Sequence, residues 1–280
     1  MFSTTVIYEV LSYSVGDTKA GTKMGKLQLK NTEDSTNLNC ILWEETINRL
    51  DVKLFRVGNL VRIVSATFNE RFNNCLISSL ELIKEAKMGL SEEEREETYL
   101  KIIDNLKLIK DDKLRNFVID YFEKHSEKIK LSPAAKTMHH NFMGGLLVHT
   151  LECIELAKSV MNSLYQDINP DFAIAACALH DIGKIYEYTI DSENGLIDYD
   201  DAFKKEWFTH SQYAYSLCMT NGFKEVAKMI AAHHGRSDWG AIIDLDQKDL
   251  EPELYFIHLV DNLSAKFGKI SVAQLEDKEA

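Results

Sequence analysis

Over residues 3–83 the chain alternates apolar and polar positions with a period near two. Thr4–Ser14 is rich in β-branched and aromatic residues, Lys26–Lys30 alternates cleanly, and Asn37–Trp43 follows the turn-forming pair Asp34-Ser35. Glu45–Phe55 changes period: Ile47, Leu50 and Leu54 fall on one side of a helix. Two more strands are predicted over Asn59–Phe68 and Asn74–Ile83, joined by the polar turn Asn69–Asn73. Three strands, a helix and two strands is the element order of a five-stranded OB-fold β-barrel.

The period then lengthens. Ser91 with Glu94 forms a capping box, a serine that accepts from an early amide and a glutamate that reaches back to the cap. It opens an amphipathic helix to about Lys107, and a second runs from about Asp111 to His125. From Pro133 onward, helical spacing covers about 143–164, 171–181, 206–221, 223–234 and 252–268. Tyr186–Tyr199, with Asn194-Gly195 at its centre, interrupts it as a type I′ hairpin. The three prolines, Pro133, Pro170 and Pro252, each adjoin a predicted helix start. The expected architecture is multi-domain α+β: an N-terminal OB-fold nucleic-acid-binding domain over 1–87, a helical connector over 88–130, and a C-terminal all-α domain with a small β-hairpin over 131–280.

Composition narrows the class. At 280 residues, 45% hydrophobic and 27% charged, the chain can bury real cores and is not disordered by composition. No run approaches the ~20 apolar residues of a bilayer span, and the first residues lack a basic segment followed by an apolar stretch, so a cytoplasmic protein with no membrane partner is expected. Cys40, Cys75, Cys153, Cys177 and Cys218 are odd in number, spread out and never in a C-x-x-C pair, which speaks against a disulfide framework and a zinc ribbon. The net charge of −12 speaks against nucleic-acid binding over the whole surface. It divides unevenly: 11 Lys/Arg against 10 Asp/Glu over 1–87, and 21 against 34 over 88–280. That second excess is either a solvated surface or includes carboxylates that need a cation.

Seven of the nine histidines lie between positions 139 and 234. His180-Asp181 follows an apolar stretch and precedes Gly183-Lys184; His149 sits on an apolar helix; Asp261 sits inside Leu259-Val-Asp-Asn-Leu263. A carboxylate in an apolar helix is costly unless paired or bound to metal. Three helices could therefore converge two imidazoles and two carboxylates, a mixed N/O set suited to iron, manganese, cobalt or zinc. His210 and His233 could supply a second ion, with Asp181 bridging.

His149-Thr150, His180-Asp181-x-Gly183-Lys184, His233-His234-Gly235 and Asp261-Asn262 resemble the motifs of the HD-domain metallophosphohydrolase superfamily. More narrowly, His139-His140, Gly144-Gly145-Leu146-Leu147 and Trp239-Gly240 resemble the YhaM-type 3′–5′ exoribonucleases, which pair an OB-fold with an HD domain over nearly the whole length. Three positions depart from that pattern. Ser264 stands where an acid is common, Gly240-Ala241 replaces Gly-Ser-Pro, and no glycine anchors the helix after His210. These departures leave the substrate open and bear on His210.

The resemblance implies a metal-dependent 3′–5′ exonuclease on single-stranded RNA or DNA, holding one or two divalent ions, with Mn, Co or Fe favoured over Mg or Zn. Metal ligands are expected at His149, His180, Asp181, His210, His233 and Asp261, and catalytic roles at Asp181 and Lys184. Lys184 would neutralise a phosphate oxygen, or act only as a cation at a helix C-terminus. Substrate contacts are expected from His139, His140, His234, Arg236, Lys26 and Phe72. One of His233 and His234 would ligate while the other faces substrate, and likeness favours His233. Lys19, Lys23, Lys26 and Lys30 could contact a phosphate backbone, and Trp43, Phe68 and Phe72 could stack on bases, although core roles are open for Trp43 and Phe68. The alternatives are a nucleotidase or cyclic-nucleotide phosphodiesterase, or a non-catalytic nucleic-acid-binding regulator. A homo-oligomer is compatible with either.

Overall fold

A computed structural model describes residues 3–86, 89–136, 140–163, 168–191, 197–205 and 209–268. Its first part is a closed barrel. Strands β1 (Ile7–Asp17), β2 (Lys23–Asn31) and β3 (Asn37–Trp43) form an antiparallel meander, followed by helix α1 (Glu44–Arg49) and a 3₁₀ turn (Val52–Phe55). Strands β4 (Leu60–Asn69) and β5 (Asn74–Lys84) complete the order β1-β2-β3-β5-β4, in which β4 returns to β1 and β3 pairs β5 in parallel. Every second side chain points inward, so Tyr8, Val10, Leu27, Leu29, Cys40, Leu42, Val61, Ile63, Cys75 and Ile77 fill the interior. The register puts like with like: Val10 opposite Leu29, Leu27 opposite Cys40, and Cys40 opposite Cys75. A bulge between Val10 and Ser12 bends β1 where it must serve two neighbours.

The second part is helical: α2 (Glu92–Leu106), α3 (Asp112–Lys124), α4 (Ser126–Leu131), α5 (Gly145–Met161), α6 (Pro170–Leu179), α7 (Lys184–Glu187), a two-stranded sheet of β6 (Tyr188–Ile190) and β7 (Ile197–Tyr199), α8 (Asp201–Lys205), α9 (His210–Thr220), α10 (Lys224–Ala232) and α11 (Pro252–Phe267). The protein is thus α+β, with a five-stranded barrel ahead of a helical region.

Helix α2 starts at the capping box read from the sequence: Ser91 Oγ accepts from the Glu94 amide at 3.2 Å and Glu94 accepts from the Ser91 amide at 2.6 Å. Thr209 and Gln212 build a second box at α9. Pro170 and Pro252 occupy the first turn of α6 and α11, where a missing N–H costs nothing. Pro133 does not open a helix; it follows the end of α4, and the next helix begins only at Gly145. The Asn194-Gly195 turn lies outside the described residues, as does the start of the stretch predicted from 206.

One core joins these helices. Ile102, Leu106, Leu114, Val118, Phe122 and Ile129 of α2–α4 pack with Leu147, Ile154, Ala176, Leu179, Ile230, Ile257 and Val260 of α5, α6, α10 and α11. Burying each Leu, Ile or Phe stabilises by about 1.5–3 kcal/mol, so α2–α4 are held by the same apolar mass as the helices that follow. The chain leaving the barrel is pinned to the start of α5, where the Leu90 amide donates to Met143 O at 3.0 Å and Leu90 packs on Phe142. Among the described residues no helix is long and apolar enough to cross a membrane.

Candidate metal centre

Five helices deliver the polar residues to one place. His149 lies in the second turn of α5, His180 caps the C-terminus of α6 with Asp181 next to it, His210 opens α9, His233 caps α10 with His234 following, and Asp261 lies on α11. The start of α5 is tightly covered: a β-carbon on Gly145 would overlap the carbonyl oxygen of His140, which crosses directly over it. Glycine is needed there for that close approach.

The inward atoms form two groups that share one carboxylate. In the first, His149 Nε2 lies 3.1 Å from His180 Nε2, 3.4 Å from Asp181 Oδ2 and 3.2 Å from Asp261 Oδ1. His180 Nε2 lies 3.5 Å from Asp181 Oδ2 and 3.9 Å from Asp261 Oδ1. In the second, His210 Nε2 lies 3.1 Å from His234 Nε2 and 3.4 Å from Asp181 Oδ1, and His233 Nε2 lies 3.8 Å from the same oxygen. Asp181 therefore turns Oδ2 to one group and Oδ1 to the other.

Most of these spacings are those of ligands around a common divalent ion, and the longest, 3.8 and 3.9 Å, exceed them by about 0.5 Å or less. Donors about 2.1 Å from a common ion stand about 3.0–3.4 Å from one another in octahedral or tetrahedral arrangements. The set also lacks a self-sufficient hydrogen-bond account, because His233 Nε2 is buried with no hydrogen-bond partner, a rare condition for a polar atom. A bound cation would supply the missing partner.

Outward atoms fix the rings. His180 Nδ1 donates to Cys177 O at 2.9 Å and His233 Nδ1 to Ile230 O at 2.6 Å, each within its own helix end. Glu187 of α7 accepts from His210 Nδ1. His149 Nδ1 lies 2.9 Å from Ser264 Oγ, whose hydroxyl donates to Glu152 Oε2 at 2.7 Å, so the ring nitrogen is the donor in that pair. With Nδ1–H engaged outward in each, the Nε2 lone pair faces inward.

Electrostatics leaves most groups in their ligating forms. Burial by itself raises Asp181, yet Lys184 and His180 outweigh it and hold the carboxyl well below its usual range. Asp261 is likewise lowered: burial opposes, and His149 prevails. Burial keeps His180 and His233 neutral, and with neighbouring His210 it brings His234 down to about 4. His149 moves the other way. Burial alone would lower it, but Cys153 and hydrogen bonds to Asp181 and Asp261 raise it well above the usual imidazole value, so a proton and a cation compete for the same nitrogen.

The structure thus brings together His149, His180, Asp181, His210, His233 and Asp261. It adds His234, expected to face substrate but placed with its Nε2 inside the second group. His140, expected to contact substrate, is 0% exposed, with its ring 5.5 Å from His149 and its Nε2 3.2 Å from Glu152. Lys184 is buried, with its ammonium 2.5 Å from Asp181 Oδ2, so it neutralises that carboxylate. It begins α7 rather than ending α6. Arg236 is exposed and paired with Asp238 at 2.9 Å. His139 lies outside the described residues. On the barrel, Lys26 and Phe72 line one groove with Ser12, Gln28 and Asn39, and Phe72 is 64% exposed; Trp43 is exposed and Phe68 half-buried.

Residues 146–266, which hold every member of both groups, match the HD-domain family. This region is an HD domain. A second match, to a family described as a putative helicase, spans residues 82–183. The chain is also similar to the 3′–5′ exoribonuclease YhaM of Oceanobacillus iheyensis, 24% identical over 80% of this chain and 68% of that one. It is similar to the YhaM exoribonuclease of a Geobacillus species, 29% identical over 64% of this chain and 55% of the relative. The dihydroneopterin 2′,3′-cyclic phosphate phosphodiesterase of Methanocaldococcus jannaschii is 29% identical over 59% of this chain and 68% of its own length.

Several residues of this HD domain escaped sequence reasoning. Cys153, fully buried, places Sγ 3.8 Å from His149 Nε2 and joins the first group; its i+4 spacing from His149 on α5 was the available signal. Glu152, at i+3, was available in the same way. Glu187 carried no such signal, because its meeting with His210 depends on the path of the chain between α7 and α9.

Proposed function

We propose that this protein is a divalent-metal-dependent 3′–5′ exonuclease that hydrolyses phosphodiester bonds of single-stranded RNA. The observation that carries this reading is the division of Asp181, with one oxygen toward His149, His180 and Asp261 and the other toward His210, His233 and His234. The first group would hold one ion and the second another. Ions so held supply Lewis acidity and an activated water for in-line displacement at phosphorus. The chain's own residues do the rest. Asp181 and Asp261 bring negative charge to balance cations in a buried site, and Lys184 fixes one orientation of Asp181. The outward bonds of His149, His180, His210 and His233 keep four imidazoles from turning away. The nitrogen-rich donor set favours manganese, iron or cobalt over magnesium.

The barrel supports a polymeric substrate. Phe72 and Lys26 share a surface groove with amide and hydroxyl side chains, the combination of stacking face and backbone cation that single strands use. Five free, buried cysteines suit a reducing compartment, and we place the protein in the cytoplasm. The test is purified, manganese-loaded protein on an oligoribonucleotide labelled at its 5′ end. Progressive shortening by wild type and none by Asp181→Ala is expected; intact RNA with both proteins refutes the reading.

The phosphodiesterase relative favours a second reading, hydrolysis of a small cyclic phosphate. Turnover of a 2′,3′-cyclic mononucleotide well above that of an oligomer would replace the first reading with this one.

A further inference from the structure

Glu152 collects groups from two segments. Its Oε2 accepts from Ser264 Oγ of α11 at 2.7 Å and lies 3.2 Å from His140 Nε2, in the segment that crosses the start of α5. Gly268 closes over this point: a β-carbon there would stand 2.5 Å from Glu152 Oε2 and 2.9 Å from His140 Cε1. Ser264 itself is 1% exposed and has two roles in one hydroxyl, accepting from His149 Nδ1 at 2.9 Å and donating to Glu152. The result is a polar chain that leaves α5 at His149, passes through α11 and returns to α5 three residues later.

We propose that Glu152, acting through Ser264, is the positioning carboxylate of His149 and sets the affinity of the first group for its divalent ion. The inference rests on the metal-dependent reading above. A serine hydroxyl alone is a neutral acceptor. One whose proton is committed to a carboxylate presents its lone pairs to the imidazole N–H, holds the ring orientation and makes Nε2 a better donor. On this account, serine stands at 264 because the carboxylate comes from another helix, one bond further out. His140, drawn by resemblance toward the substrate, is instead part of the packing that keeps Glu152 in place.

The experiment is manganese binding to the full chain by titration calorimetry, with far-UV circular dichroism as a fold control. Ser264→Ala should weaken the tighter ion by about 10- to 100-fold, the range for loss of an outer partner of a metal-bound histidine. Ser264→Thr, which keeps the hydroxyl, should stay within about threefold of wild type. Glu152→Gln should weaken binding, and the double variant should bind no more weakly than Ser264→Ala, since one residue acts through the other. Wild-type affinity in Ser264→Ala, or losses that add in the double variant, overturns the proposal. Where Ser264→Ala does not fold, unchanged affinity in the near-isosteric Glu152→Gln overturns it alone. Wild-type protein that takes up no manganese overturns the metal-dependent reading together with this one.

Discussion

Gly183 lies against the main chain of His210, so close that a β-carbon would stand 2.6 Å from both the Cα and the carbonyl oxygen of that residue. The glycine has ordinary right-handed backbone angles. Its role is therefore space: it lets the first residue of α9 come within reach of Asp181. Gly183→Ala should push His210 away from Asp181 Oδ1. With each group holding one ion as proposed above, the expected outcome is a drop from two bound ions per chain toward one, with at least a hundredfold loss of hydrolysis. Elemental analysis of the folded variant checks it, and two retained ions would refute it.

Lys184 is the nearest cation to a buried carboxylate whose other neighbours are imidazoles. Lys184→Met leaves Asp181, 4% exposed at its side chain, without its ammonium. Removing one partner of a buried pair costs about 3–5 kcal/mol. Melting in the presence of a chelator should fall accordingly, and manganese should restore most of it, because a bound ion stabilises the folded state by mass action. An unchanged melting temperature in chelator would return Lys184 to a role on substrate alone.

Metal uptake should release protons. In the cation-free protein His149 is raised well above its usual value, while His180, His233 and His234 are lowered. An arriving cation displaces the proton on His149 and finds the other three already neutral. Affinity should therefore rise with pH until His149 is deprotonated, then level off. Calorimetry in buffers of different ionisation enthalpy measures this directly; binding enthalpy independent of buffer would contradict it.

On the barrel, Phe72→Ala should weaken single-stranded RNA binding by about 1–3 kcal/mol, the worth of one stacked base. Phe72 is 64% exposed, so stability should hardly change. Hydrolysis of a small chromogenic phosphodiester should be unaffected, which separates strand capture from chemistry. Equal losses on both substrates would place Phe72's effect elsewhere.

Much of the architecture could be read from period alone. Asn37–Trp43 begins and ends where its alternation does, and α5, α6, α10 and α11 fall within a few residues of their apolar repeats. The metal-facing set was legible because His149, His180, Asp181 and Asp261 sit in apolar surroundings that make bare polar groups expensive. Position relative to the surface was not legible. His140 and His234 carry the same letters as their neighbours, and only the packing of the chain over α5 and the turn after α10 decides that one is buried against Glu152 and the other lies within the second group. Lys184 follows the same logic, since sequence gives its neighbour Asp181 but not which charge each satisfies.

The shared core of α2–α4 with α5, α6, α10 and α11 fixes what can be excised. The HD-domain match begins at residue 146, yet a fragment cut there would bare the faces against which Ile102, Leu106, Phe122 and Ile129 rest. The smallest self-supporting piece that keeps the hydrolytic machinery has to start ahead of Glu92, with its serine cap intact. The barrel, whose interior is closed on itself, is the portion that can be removed or exchanged.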